Sequence, residues 1–302
     1  MSDSSLSAIP LRKQPLPQLK QLAALATLRG HMWVMSRTAP DRAAARLATL
    51  FTTPPRPQVR PWERAAMAQA RYTRVRFEAF GFLSVYRWGA TSQSHRPKVL
   101  LMHGFGGRVS QLSGIAQALA SAGYEVVAFD APAHGQSGTG QAALPDFVDA
   151  LEIFAAQEGA FEAVVAHSMG AAAVMTALRR GMAARRAVLI APPSYPGSYL
   201  GQIGRTLGAT EQVIGRTQAL IETRYGRAFD EFRTPLNATA LTQPGLILHD
   251  VGDRQVPVED GRAIAQAWRN ARLEVTEGLG HTRILRATHT VSEIQNFVMT
   301  AL

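Results

Sequence analysis

The sequence contains no cysteine, few aromatic residues and no hydrophobic run long enough to cross a membrane. Because there is no cysteine, disulfides, thiolate metal sites and a cysteine nucleophile are excluded. Only 7% of the residues are aromatic, so the helices are expected to pack through small side chains. The longest apolar stretch near the front, residues 22–35, is interrupted by Arg29 and His31 and is too short for a bilayer.

The front of the chain also lacks the marks of a secretory signal. It begins with polar and acidic residues, Ser2 and Asp3, and no small-residue cleavage site follows. We therefore expect a cytoplasmic protein. Metal-ligand spacings such as His-x-x-x-His are missing as well, so neither a metal nor a cofactor is expected.

Acidic residues are scarce in the first third of the chain. Residues 1–98 hold 16 of the 32 Lys and Arg residues but only 4 of the 22 Asp and Glu residues. Such a basic region binds anionic lipid or an acidic partner in some proteins and is a solvated face in others. The solvated face is favoured, with peripheral membrane contact as the alternative. No aromatic-plus-basic motif indicates nucleic-acid binding.

Helical and proline-rich segments occupy this basic region. Helices are predicted at residues 18–36, 40–51 and 62–72, with a proline cluster before the third. We interpret residues 1–71 as a partly helical N-terminal extension. Residues 72–302 then form the main domain.

Short strands and helices alternate through the main domain. It begins with a predicted hairpin, residues 75–80 and 82–88, around Gly81. The rest follows the pattern of parallel strands joined by helical crossovers. Strands are predicted at 98–102, 125–129, 163–166, 187–190, 245–248 and 272–276, and helices at 109–122, 144–157, 169–180, 260–268 and 282–302. The sequence therefore predicts an α/β fold with a doubly wound, mostly parallel sheet.

The alternation stops between residues 194 and 243, where a helical insertion is expected. An insertion of this length between two core strands is typical of a functional lid. Its apolar residues either line an acyl pocket or form the packing core of the lid itself. Both interpretations stay open for Tyr195, Tyr199, Leu200, Ile203 and Leu207.

A serine lies in a tight turn between a predicted strand and a helix, in the sequence AHSMG at residues 166–170. Such a turn holds a serine nucleophile in a strained conformation and tolerates only small neighbours. Ser168 is therefore a candidate nucleophile, although a helix N-cap would also place serine here. The N–H of Met169 would face an oxyanion formed at Ser168.

A glycine-rich segment, HGFGG at residues 103–107, follows the strand at 98–102. Acyl transfer requires a second N–H donor from such a loop, and Phe105 is the candidate. An ordinary glycine-rich turn is the alternative. A phosphate-binding loop is a weaker one, because neither G-x-G-x-x-G nor G-K-[ST] is present.

A serine nucleophile needs a base and a group that orients the base. His281 follows the last predicted strand, and both Asp250 and Asp253 follow the strand before it. Active sites of open α/β sheets form at these carboxyl ends of strands. The chain order Ser, Asp, His also matches one known order of such triads.

Taken together, these motifs resemble the α/β-hydrolase superfamily over about residues 72–302. The resemblance implies that Ser168 is the nucleophile, His281 the base and Asp253 the acid, with oxyanion donors at Phe105 and Met169. It favours Asp253 over Asp250 because family acids commonly precede an x-x-Val-Pro pattern, as Asp253 does.

Several residues around this site carry weaker expectations. His103, His167, Tyr195 and Tyr199 are expected to shape the substrate pocket. The segment DAPAHGQS at residues 130–137 resembles a structural turn of the family in which alanine replaces a usual glycine at position 133. Ala166 likewise stands where glycine is commoner.

The resemblance implies a serine hydrolase that cleaves a small-molecule carboxylic ester through an acyl-enzyme, as a carboxylesterase or a lysophospholipase-like enzyme does. The apolar residues of the insertion, with Phe105 and Met169, favour an apolar acyl group. A thioesterase or a carbon–carbon bond hydrolase would use the same triad. A non-catalytic binding module on the same fold is the third alternative, because a fold alone does not establish a function.

Overall fold

Eight strands form one sheet in the computed structural model of this protein, which describes residues 16–89 and 96–300. The strands are β1 Arg71–Phe77, β2 Gly81–Trp88, β3 Lys98–Met102, β4 Glu125–Phe129, β5 Ala163–His167, β6 Ala187–Ile190, β7 Gly245–Asp250 and β8 Ala271–Thr276. Their order across the sheet is β1-β2-β4-β3-β5-β6-β7-β8. The first two pairings, β1 with β2 and β2 with β4, are antiparallel, and all others are parallel. The predicted mostly parallel α/β sheet is confirmed.

Helices cover both faces of the sheet, as parallel strands require. They are α1 Leu16–Thr38, α2 Pro40–Thr52, α3 Pro61–Met67, α4 Ser113–Ser121, α5 Leu144–Glu158, α6 Met169–Arg179, α7 Pro196–Thr206, α8 Glu211–Tyr225, α9 Thr234–Ala238, α10 Val258–Ala267, α11 Gly280–Arg283 and α12 Thr288–Met299. Helices α5, α6 and α10 pack on one face, and α4 and α12 on the other. All five residues of β5 are buried between these layers, which explains its continuous apolar sequence.

Three predicted boundaries were wrong. The first strand of the hairpin, predicted at residues 75–80, is β1 at Arg71–Phe77. The helix predicted at residues 62–72 ends at Met67, and Arg71 already belongs to β1. Strand pairing decides this, because Arg71 lies opposite Arg87 in the hairpin with β2. The closing helix is also interrupted: α11 passes into a short 3-10 turn, Ile284–Arg286, and the extended backbone of Ala287 separates this turn from α12.

The N-terminal extension packs on the insertion between β6 and β7. Helix α2 contacts α8 of the insertion most closely, and they form a third hydrophobic cluster away from the sheet. Leu47 lies at its centre and is fully buried. A Cβ added to Gly204 of α7 would lie 2.6 Å from Cγ1 of Ile214, so glycine permits this close packing. The boundary between extension and domain at residues 71 and 72 stays a prediction.

Removing the Leu47 side chain tests the contact between extension and insertion. We expect Leu47→Ala to lower the free energy of unfolding by about 2–5 kcal/mol, because it leaves a cavity in a buried cluster. The matched control is Leu220→Ala, since Leu220 lies on α8 but is 46% exposed. Urea denaturation of both variants is the measurement, and equal losses of stability would contradict the packing described.

Candidate active site

Ser168 lies in the turn between β5 and α6 and has a strained backbone. Its φ and ψ angles are 51° and −126°, a region that residues with a side chain rarely occupy. Close packing enforces the turn, because a Cβ added to Gly170 would lie 2.3 Å from the carbonyl oxygen of His103. The N–H of Ser168 donates to the carbonyl of Ile190 at 2.9 Å. The sequence therefore specifies a rigid elbow that exposes the serine hydroxyl to a cavity.

The structure brings Ser168, His281 and Asp253 together in one hydrogen-bonded chain. Nε2 of His281 lies 3.0 Å from Oγ of Ser168. Nδ1 of the same ring lies 2.6 Å from Oδ2 of Asp253. Since a carboxylate only accepts, a neutral His281 donates Nδ1–H to Asp253, and its Nε2 is left to accept the serine proton.

Asp253 is held in its ionised form. Burial raises the pKa of its carboxyl, but the hydrogen bond and charge of His281 together with two backbone hydrogen bonds outweigh this effect and lower the pKa below the usual value. The N–H groups of Val256 and Gln255 add to the lowering, since they donate to Oδ1 at 3.0 and 2.8 Å. An ionised Asp253 can fix the orientation of the imidazole and stabilise its protonated form.

Asp250 has a different set of partners. Its carboxylate accepts hydrogen bonds of 2.9 Å from the N–H of Gly252, the hydroxyl of Thr276 and the N–H of Leu279. These bonds tie the end of β7 to the loop that precedes His281. Of the two candidate acids, the structure therefore places Asp253 on the histidine ring and Asp250 in the support of the loop.

Two backbone donors lie beside Ser168. Phe105 and Met169 both line the same cavity. Among the described residues, neither N–H has a hydrogen-bond acceptor. The two segments approach closely, because a Cβ added to Gly104 would lie 2.8 Å from Cβ of Ser168. Both N–H groups are therefore free to donate to a ligand in the cavity, as the predicted oxyanion donors need to be.

Two of the four predicted pocket residues line the cavity, His167 and Tyr199. Nε2 of His167 bonds to the carbonyl oxygen of His281 at 2.9 Å. Burial lowers the pKa of His167 to about 3, so the ring is neutral. Nε2–H then donates to that carbonyl and holds the backbone of His281. The hydroxyl of Tyr199 donates to Asp260 at 2.8 Å and ties the insertion to α10.

The other two, His103 and Tyr195, lie outside the cavity lining. His103 is buried, donates from Nδ1 to the carbonyl of Gly104 at 2.7 Å, and accepts at Nε2 from the N–H of Ala131. Burial lowers its pKa to about 4, which keeps it neutral. The ring of Tyr195 packs under the guanidinium of Arg233. Both residues therefore support the surrounding structure, and their role in shaping the substrate pocket stays a prediction.

The cavity above Ser168 has a volume of about 1160 Å³ and draws its walls from three parts of the chain. The main domain and the insertion contribute as expected. The N-terminal extension contributes a wall that sequence reasoning missed, composed of Leu50, Phe51, Thr53, Pro54, Pro55, Pro57, Gln58, Arg60, Trp62 and Glu63. This wall lies close to the glycine-rich segment at residues 103–107, because a Cβ added to Gly106 would lie 2.6 Å from Cγ of Pro55. No local pattern in the sequence signals this contact.

A comparison with protein families matches residues 99–294 to the model described as the alpha/beta hydrolase family. The chain belongs to the alpha/beta hydrolase family. It is therefore a hydrolase, as the motifs predicted. A search of curated protein sequences finds no match.

Solved structures of other hydrolases share this fold. The esterase Pf2001 of Pyrococcus furiosus matches with a TM-score of 0.59 and 18% identity over 82% of this chain and 95% of that one. A thioesterase domain from the curacin biosynthetic pathway gives 0.56 and 16% over 77% and 99%. A bacterial membrane phospholipase A gives 0.58 and 19% over 95% and 99%. At such identities the likeness shows the fold of this alpha/beta hydrolase and not its substrate.

This alpha/beta hydrolase keeps a strained alanine in the turn after β4. Ala133 has φ 61°, a conformation that costs an alanine about 1–2 kcal/mol. The neighbouring Gly135 is required, because a Cβ there would lie 2.1 Å from Oδ2 of Asp130. The carboxylate of Asp130 accepts from the N–H groups of Val109 and Gln136, so the turn positions the loops around the cavity. Among the described residues, no cluster of His, Asp and Glu is suited to a metal ion.

The different partners of the two aspartates generate a prediction. We expect Asp253→Asn to lower kcat toward p-nitrophenyl butyrate by about 10⁴-fold, since an amide favours the wrong imidazole tautomer. Asp250→Asn leaves the contact between Asp253 and His281 intact and is the matched control, with a loss below about tenfold. Steady-state kinetics of both folded variants is the measurement. A larger loss for Asp250→Asn would reverse the assignment.

Proposed function

We propose that this protein is a serine hydrolase that cleaves carboxylic esters with an apolar acyl group. The observation that carries the proposal is the chain of contacts from Ser168 through His281 to Asp253, with distances of 3.0 and 2.6 Å. In this assignment Ser168 is the nucleophile, His281 the general base and Asp253 the group that orients it.

The reaction proceeds in two halves. Oγ of Ser168 attacks the ester carbonyl carbon while Nε2 of His281 takes the hydroxyl proton, and the N–H groups of Phe105 and Met169 stabilise the oxyanion. The carbon–oxygen bond breaks, and the alcohol leaves with the proton from His281. A water molecule then transfers a proton to His281 and attacks the acyl carbon. The bond to Oγ of Ser168 breaks, His281 returns the proton to Oγ, and the carboxylic acid is released.

Apolar side chains near Ser168 support an acyl group as the part of the substrate that is buried. Leu144, Met169, Ile221, Phe229 and Phe232 all line the cavity. Burial of a methylene group contributes about 0.8 kcal/mol to binding, so a medium acyl chain gains affinity with each carbon that fits. The insertion, which supplies three of these residues, acts as the lid over this pocket.

Replacement of the nucleophile is the direct test. We expect Ser168→Ala to lower kcat by about 10⁶-fold on p-nitrophenyl esters from acetate to palmitate, with the wild type most active at an intermediate chain length. Circular dichroism of the variant is the control for folding. Wild-type enzyme should also be labelled covalently by a serine-directed fluorophosphonate.

Other substrates distinguish the alternatives. The same triad attacks acyl-thioesters and the carbon–carbon bonds of β-diketones, so both are assayed beside the esters. A preference of the wild type for either would replace the proposed ester. Failure of Ser168 to react with the fluorophosphonate would favour a binding module instead.

Helix α1 supports a second proposal, contact with a membrane surface. Leu22, Leu25 and Trp33 are 53%, 46% and 52% exposed, and their spacing places them on one face of the helix. Arg29 and Arg37 are exposed beside them. An exposed apolar stripe flanked by cations suits the interface of an anionic bilayer. No helix of residues 16–89 and 96–300 is long and apolar enough to cross a membrane. The cytoplasmic location stays a prediction.

Vesicle binding tests this contact. We expect the wild type to co-sediment with vesicles that contain phosphatidylglycerol more than with pure phosphatidylcholine, and the combined variant Leu22→Ser, Leu25→Ser, Trp33→Ser to lose this binding. Leu220→Ser is the matched control, since Leu220 is exposed on another helix. Equal binding by wild type and the combined variant would disprove the role of α1.

A further inference from the structure

The charged side chains that line the cavity are predominantly basic. Arg60, Arg108, Arg283 and Arg286 all lie in its wall, and Glu63 is the one acidic residue among the described lining residues. A cavity with cationic walls attracts anions, because low-dielectric surroundings strengthen the field within a cleft. The sign of this charge therefore restricts the ligands that enter.

One of the four cations is neutralised locally. Nε of Arg108 lies 3.9 Å from Oε2 of Glu63, which is 4% exposed and also accepts a 2.7 Å hydrogen bond from Ser110. Arg60, Arg283 and Arg286, in contrast, form no ion pair with any described residue, and all three are exposed. Three uncompensated positive charges thus face the cavity.

Other contacts hold two of these three arginines in place. The guanidinium of Arg286 lies 5.7 Å from the ring centre of Trp62, which also lines the cavity. Nη2 of Arg283 donates to the carbonyl of Gly278 at 2.7 Å. Arg60 immediately precedes α3 in the N-terminal extension. Two distant parts of the chain therefore supply the basic surface of the cavity, which consists of Arg60, Arg283 and Arg286.

Two of the three arginines follow His281 closely in the chain, which associates the basic surface with the leaving group of the substrate. In the proposed reaction His281 protonates the leaving atom, and Arg283 lies on the same short helix as His281, α11. Arg283 and Arg286 both line the cavity. The apolar lining residues Met169, Ile221 and Phe229 come from other elements, α6 and the insertion, where the acyl group is proposed to lie.

We propose that the leaving group of the substrate carries negative charge, as a carboxylate or a phosphate, which Arg60, Arg283 and Arg286 bind. This inference rests on the proposed esterase function and names the class of substrate more closely. The substrate is then amphiphilic, with an apolar acyl chain on one side of the scissile bond and an anion on the other. An ion pair at an exposed arginine changes binding by about two- to fivefold.

Three chromogenic octanoyl esters test the proposal. They are 4-nitro-3-(octanoyloxy)benzoate, neutral 2-nitrophenyl octanoate and 4-nitro-3-(octanoyloxy)-N,N,N-trimethylanilinium, which share the acyl group and differ in the charge of the leaving group. We expect kcat/KM of the wild type to be highest for the anion and lowest for the cation. The ratio of anionic to neutral ester should fall as salt rises from 0.05 to 0.5 M, because salt screens exposed charges.

Substitution of the arginines assigns the effect to the proposed surface. Arg60→Gln, Arg283→Gln and Arg286→Gln should each lower the ratio of kcat/KM for anionic over neutral ester by about two- to fivefold, and their combination by more. The matched control is Arg262→Gln, since Arg262 is exposed on α10 and outside the cavity lining. It should leave the ratio unchanged.

The outcomes separate this inference from the proposed function. If the wild type hydrolyses all three esters through Ser168 with equal kcat/KM, or if the arginine variants keep the ratio, the esterase stands and the anionic leaving group is overturned. If no ester is hydrolysed, both proposals fail. If the anionic ester is preferred, octanoyl-coenzyme A and 1-octanoyl-glycerol 3-phosphate are assayed next, and cleavage of either one identifies the source of a phosphate. Cleavage of neither, with preference for the benzoate, assigns the charge to a carboxylate.

Discussion

The close approach of helix α6 to the end of strand β3 is the constraint on which the site depends. At Gly170 the helix lies so near the carbonyl of His103 that a single added carbon would be 2.3 Å from it. This contact holds the turn at Ser168 in its strained conformation and brings the glycine-rich segment at residues 103–107 beside the serine. The cost of the positive φ at Ser168 is offset by the packed sheet beneath it, since central strands such as β5 are fully buried.

No single segment of the chain encloses the cavity above Ser168. The sheet supplies the floor, the insertion supplies apolar side chains, and the N-terminal extension completes the wall. Two contacts attach the extension to the rest of the protein. Leu47 is buried against the insertion, and Pro55 contacts the glycine-rich segment at Gly106. Movement of the insertion would therefore displace the extension with it, because the two share a hydrophobic cluster.

The structure places some of the basic residues in the cavity wall, which their distribution along the chain did not indicate. Most of the described basic residues of the front region are exposed, but Arg60 enters the cavity wall. There it joins Arg283 and Arg286 from the other end of the chain. Folding thus gathers three cations in the wall of the cavity above Ser168 and pairs the acidic Glu63 with Arg108.

The sequence by itself determined the alternation of strands and helices and the candidates Ser168 and His281, because these follow from local patterns of apolar residues, glycines and turns. Only the tertiary structure decided that Asp253, which the sequence favoured, rather than Asp250 meets the histidine, that His103 and Tyr195 lie outside the cavity lining, and that the extension contributes to this lining. The physical reason is separation along the chain. Ser168 and His281 are 113 residues apart, and contacts of this kind depend on sheet register and loop packing, which a local pattern does not encode.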